Sequence, residues 1–209
     1  GVQTCALPIT LTVSFRLKED MSWADAGHEV AFGQKIYKKI PAFHASEKPI
    51  RVVHGKVNIG VKGEDFDCLF SMLSGGLVSY RYAGKEMIEK IPMPNFWRAP
   101  VDNDNGSMAP ARYAQWKIAS MYISHRNGGM FDNVPTKVEE KDNTVTVTYT
   151  YFMPTTPASK CQVAYTVFGD GTIETKLMYD PVEGLPDMPE FGMMFWFNAD
   201  YDNLTWYGM

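Results

Sequence analysis

The chain is poor in the residue types that mark self-sufficient chemistry. Three cysteines (Cys5, Cys68, Cys161) are too few and too far apart for a disulfide framework or a zinc cluster, and Cys68 and Cys161 read as small buried thiols. The four histidines (His28, His44, His54, His125) are isolated, with no metal-ligand spacing to one another or to a cysteine. There is no glycine-rich phosphate loop and no nucleophile motif. Basic residues never form a block, and the net charge of -4 is spread thinly, which argues against nucleic acid as a partner. No apolar run reaches membrane-spanning length, and no basic segment precedes a short apolar one, so no membrane partner and no cellular address can be read.

What is present is apolar and aromatic. A hydrophobic content of 45% with 13% aromatics is ample for a packed core. Strand signals dominate. Thr10–Leu17 and His28–Tyr37 are extended runs joined by the turn-like Asp20–Gly27. Pro41–Pro49 reads as a linker, and short strands come after it at Val52–Val57, Phe66–Met72, Leu77–Tyr82 and Met87–Ile91. Thr144–Tyr151 alternates Val145, Val147, Tyr149 and Tyr151 with four threonines, which predicts one buried and one wet face. Gly169-Asp170-Gly171 predicts a hairpin between Val163–Phe168 and Thr172–Met178. Phe191–Asn198 is nearly all apolar and reads as a strand covered on both faces. Only Ala114–Met121 suggests a helix. The expectation is all-β, built of antiparallel sandwiches.

Residues 1–9 read as a non-native segment, 10–40 as the closing strands of one domain, 41–49 as a linker and 50–209 as part of a second domain. The chain lacks an initiator Met and stops just after an aromatic run, so it reads as a fragment of a longer protein.

The densest chemistry lies in Asn95-Phe-Trp-Arg-Ala-Pro-Val-Asp-Asn-Asp-Asn-Gly106. Consecutive Asx side chains need a hydrogen-bond shell, and Phe96 and Trp97 need cover from water, so the stretch predicts a rigidly held loop. As an EF-hand the cluster fails: counted from Asp102, the sixth position is Ser107 where glycine is needed, and the twelfth is Tyr113 where glutamate is needed. A different cation site, Asx capping of consecutive turns, and a loop bordering a ligand pocket all stay open. Arg98 can stack on Phe96 or Trp97, or pair with Asp102 or Asp104. Glu86 with Glu89, and Glu139 with Glu140, read as solvated turn residues rather than as a glycosidic acid pair.

Together these segments resemble the C-terminal region of family 2 glycoside hydrolases of the large β-galactosidase type. Leu11–Lys39, with Trp23-Ala-Asp-Ala-Gly-His-Glu-Val-Ala31, resembles the end of the immunoglobulin-like domain that follows the catalytic barrel. Phe66–Ile91 resembles the opening hairpins of the terminal, galactose-mutarotase-like β-sandwich, and Asn95–Gly106 resembles its signature loop. The resemblance implies retaining hydrolysis of terminal β-D-galactosides such as lactose, a homo-oligomeric parent, and two catalytic glutamates with magnesium and sometimes sodium held by a barrel outside this chain. It implies no catalytic residue and no metal or other cofactor here. It places Gly106 and Ser107 at the start of a loop near the active-site mouth, braced by Arg98, Asp102, Asn103 and Asp104, although the stretch to Trp116 is shorter than in well-known members. Two alternatives are a non-catalytic sugar-binding sandwich using Trp97 or Trp206, and a mutarotase-like epimerase that would need a histidine and a carboxylate converging in one cleft, with His54 and His125 the histidines to place.

Overall fold

The structure is a computed structural model that describes residues 9–38, 46, 48–126 and 137–203. The chain divides into two compact units, Gly1–His44 with Asn203–Met209, and Ala45–Asp202.

In the first unit, β1 (Ile9–Arg16) and β2 (Glu29–Lys38) form an antiparallel hairpin. Register places Val13 opposite Gly33 and Phe15 opposite Ala31 on one face, and Thr12 opposite Gln34 on the other. Gln34 Nε2 donates to Thr12 Oγ1 at 3.2 Å. The long connection is pinned by the Ala26 amide donating to Asp20 Oδ1 at 2.8 Å, and Gly27 takes the left-handed backbone (φ +89°) that closes it. Leu11, Val13 and Phe15 are exposed, as expected of a two-stranded piece without a core of its own.

The second unit is an antiparallel β-sandwich. One sheet is a five-stranded meander: β3 (Arg51–His54), β4 (Asn58–Lys62), β5 (Phe66–Ser71), β6 (Gly76–Tyr82) and β7 (Lys85–Glu86). The other runs in the order β12 (Ile173–Tyr179), β11 (Ser159–Phe168), β10 (Thr144–Met153), β9 (Lys137–Lys141). A third, two-stranded sheet pairs β8 (Lys90–Asn95) with β13 (Gly192–Trp196). Among the described residues between β8 and β9 lie three short helices: α1 (Asp102–Gly106), α2 (Ala109–Arg112) and α3 (Ala114–Tyr122).

The alternation along β10 has the predicted consequence. Val145, Val147, Tyr149 and Tyr151 are buried, and they face Ile59, Val61, Phe70 and Leu77 of the meander in a single core. Tyrosines carry hydroxyls into that core, and each finds an acceptor across it. Tyr151 donates to the Gly75 carbonyl at 2.5 Å, Tyr149 to Gly76 at 3.3 Å and Tyr165 to Pro92 at 3.4 Å. Burial raises the pKa of all three phenols. Cys68 and Cys161 are buried free thiols, each pushed up to about 12 chiefly by desolvation; Cys5 lies outside the described residues.

Several expectations are corrected. Phe191–Asn198 is not covered on both faces: among the described residues β13 pairs only with β8, and Met194, Phe195 and Phe197 are 44%, 39% and 55% exposed. Met87–Ile91 is not one strand; β7 ends at Glu86 and β8 begins at Lys90. Glu139 and Glu140 lie in strand β9 rather than a turn, and Glu86 lies in β7, where it accepts from the Ser79 hydroxyl and the Tyr80 amide. The Asp102–Gly106 cluster forms one helical turn instead of consecutive Asx turns.

Candidate functional site

Asn95 ends β8 and turns the chain by donating from Nδ2 to the Trp97 carbonyl at 2.7 Å and to Glu190 Oε1 at 3.1 Å. Phe96 then enters the core fully buried, ringed by Trp116, Phe191 and Tyr179 at centroid distances of 5.8, 6.2 and 6.4 Å. Its backbone N–H donates to Ser120 Oγ on α3, and the Trp116 indole donates to the Pro186 carbonyl, both at 2.9 Å. Trp97 is half-buried and packs against the core. The aromatic pair is therefore an anchor that holds the next turn of chain from below.

Arg98 answers the question the sequence left open. Its guanidinium donates in a fork to Asp104, Nη1 to Oδ2 at 2.6 Å and Nη2 to Oδ1 at 3.0 Å. Asp104 Oδ2 also accepts from the Val101 amide at 2.9 Å, at the third position of α1, where a carboxylate satisfies an amide that the helix leaves unpaired. The Arg98 hydrogen bonds, followed by that amide, hold the Asp104 carboxyl below its usual range, and the same pair raises Arg98. Asp102, Asn103 and Gly106 are exposed, and Ser107 donates from Oγ to the Asp104 carbonyl at 3.1 Å. Gly106 closes α1, Met108 makes the left-handed turn (φ +58°), and α2 with the start of α3 fills the stretch to Trp116. The stretch expected to begin a loop at Gly106 and Ser107 is thus built largely of short helices.

Beside this brace lies a crevice of about 50 Å³ lined by Trp97, Arg98, Pro100, Asp104, Pro110 and Tyr113. That volume holds a few waters and is too small for a sugar ring. Larger crevices of about 450 and 420 Å³ run along residues 179–191 and beside Phe152, Lys160 and Asp180. Each of these three crevices is lined by a single carboxylate: Asp104, Asp187 and Asp180 respectively. Among the described residues no three His, Cys, Asp or Glu side chains converge to hold a metal.

His54 meets Glu140 at 2.6 Å on the open surface, where both are exposed, and lines none of these crevices. His125 is partly buried against Gly75 and also lines none of them. Neither histidine therefore shares one of these crevices with a carboxylate, as the epimerase alternative requires, and Trp206 lies outside the described residues. Ser120, Tyr113 and Glu190 escaped sequence reasoning, because nothing in their own neighbourhoods marks them; they matter only through contacts made across the fold.

Among the described residues the second unit is an all-β antiparallel sandwich with one tightly braced helical turn. A family model described as β-galactosidase small chain matches residues 62–209, and one described as β-galactosidase domain 4 matches residues 3–37. The chain belongs to the β-galactosidase small-chain family. It is 41% identical over 203 residues to a β-galactosidase of Clostridium acetobutylicum, covering 96% of this chain and 22% of the relative. A β-galactosidase of Halalkalibacterium halodurans is 43% identical over 198 residues, covering 92% and 19%. A β-galactosidase small subunit of Latilactobacillus sakei is 36% identical over 162 residues, covering 72% and 51%. The chain thus spans about a fifth of the length of the first two relatives.

Proposed function

We propose that this chain is a non-catalytic portion of a family 2 β-galactosidase, a retaining enzyme that cleaves terminal β-D-galactose from lactose-like substrates. Retaining chemistry needs two carboxyl groups about 5 Å apart across the scissile bond. The observation that carries the reading is that each of the three crevices described has one carboxylate, and that in the signature segment is already committed to Arg98. The relatives' length beyond the matched fifth supports placing the glutamates, with magnesium and sodium, in another part of the polypeptide. The Arg98–Asp104 fork, with Asp102, Asn103, Gly106 and Ser107 around it, then acts as scaffold at the rim of that site, where a β-galactoside enters. The isolated chain should show no hydrolysis of o-nitrophenyl β-D-galactoside. A Clostridium acetobutylicum β-galactosidase whose matching 203-residue stretch is replaced by this chain should hydrolyse it. Turnover by the isolated chain would overturn the reading.

A further inference from the structure

We infer that Asn105–Gly106 is a self-modification site, at which the folded chain converts Asn105 to aspartate and isoaspartate with water as the co-reactant. The site is independent of the function proposed above. The backbone nitrogen of Gly106 attacks Asn105 Cγ. A bond forms between them, the bond from Cγ to the side-chain nitrogen breaks, and ammonia leaves. Water then opens the cyclic succinimide at either carbonyl, giving aspartate or a main chain that runs through Cβ and Cγ as isoaspartate.

The attack needs an unshielded nitrogen, access to solvent and a backbone free to bend. A residue with a Cβ crowds its own backbone nitrogen, and glycine does not. Among the described residues Asn105 is the one asparagine followed by glycine. An added Cβ at Gly106 would meet nothing within 4 Å, so water reaches its amide, and Asn105 is itself exposed. Ring closure also requires Asn105 to leave the helical backbone. α1 resists this weakly, since none of its five residues is buried and its last turn has no basic side chain to complement the dipole. The Arg98–Asp104 fork pins the start of α1, whereas Asn105 and Gly106 stand at the end that frays. Opening that end breaks bonds from the Ser107 and Met108 amides to Asn103 and Asn105, and from the Ser107 hydroxyl to Asp104. Each is 3.1 Å long and lies at an exposed turn where water takes over.

The product bears on the brace. It adds a carboxylate to a turn that already carries Asp102 and Asp104, at the helix end where negative charge is unfavourable. The isoaspartyl form also lengthens the main chain by a methylene directly after Asp104, the residue that Arg98 holds.

The test ages the full chain in mildly alkaline buffer beside a synthetic peptide of residues 99–112, the fragment that trypsin releases between Arg98 and Arg112. Resistance of Cys68 and Cys161 to a thiol reagent verifies that the aged chain is folded. The mass and chromatographic retention of the fragment report aspartate and isoaspartate. Asn105 in the folded chain should convert within about tenfold of the peptide rate, as expected where local opening costs little. Conversion slower than that, or conversion at Asn103 in place of Asn105, would overturn the inference. Gly106→Ala should slow conversion in the folded chain by about tenfold or more, because the added Cβ crowds the attacking nitrogen. An unchanged rate in that variant would mean that water attacks the side-chain amide directly, and would overturn attack by the Gly106 nitrogen.

Discussion

Ser120 Oγ accepts the Phe96 backbone N–H at 2.9 Å while donating to the Trp116 carbonyl at the same distance. One hydroxyl thus ties the signature segment to α3 at the point where Phe96 enters the core. Removing it leaves the Phe96 amide without its partner in the interior. Ser120→Ala should therefore cost about 1–3 kcal/mol in urea unfolding. A change within measurement error would show that water replaces the hydroxyl.

Gly75 combines a left-handed backbone (φ +73°) with a crowded approach, since an added Cβ would sit 2.2 Å from the His125 ring. Its carbonyl is also the acceptor for Tyr151. Gly75→Ala strains the turn and displaces the imidazole together, so a loss of about 2 kcal/mol or more is expected. Gly106→Ala is the control: φ is ordinary there and open space surrounds the site, so the unfolding midpoint should hardly move.

His125 supplies a pH dependence. Burial lowers its pKa first, with Arg126 adding to the effect against a backbone hydrogen bond to Leu73. A depressed histidine contributes stability that is complete above the unfolded value of about 6.5 and is lost as pH falls through the folded pKa, because the unfolded chain takes up the proton first. Thermal midpoints between about pH 5 and 7.5 should fall on acidification, and His125→Gln should flatten that part of the profile. An unchanged slope in the variant would assign it elsewhere.

Cys68 and Cys161, each raised to about 12 by burial, should resist a thiol reagent in the native chain and react on unfolding. A Cys5→Ser background isolates the two. Fast labelling without denaturant would contradict the packed core.

Much of the fold was legible because burial imposes period two on a strand. β10 announced its faces through Val145, Val147, Tyr149 and Tyr151, and the glycines at 169 and 171 announced the turn to β12. β4 and β9 were not legible: Asn58–Lys62 carries a glycine, and Lys137–Lys141 is almost wholly charged and pairs only at the sheet edge. The apolar run at β13 misled for a related reason. Composition reports that a face is to be covered, not whether this chain supplies the cover. At the site, twelve adjacent residues marked the brace, but the choice of Asp104 over Asp102 depended on α1, which turns the third side chain back toward Arg98. Ser120 and Glu190 could not be read locally at all.

The most direct test of the account is steady-state lactose hydrolysis by the chimeric enzyme carrying Arg98→Ala and, separately, Asp104→Ala. If the fork is scaffold at the rim, either variant should raise KM by about threefold or more while kcat stays within about twofold, since a loosened rim weakens binding without touching the reacting atoms. A collapse of kcat by orders of magnitude at unchanged KM would make Arg98 or Asp104 part of the chemistry and contradict the account.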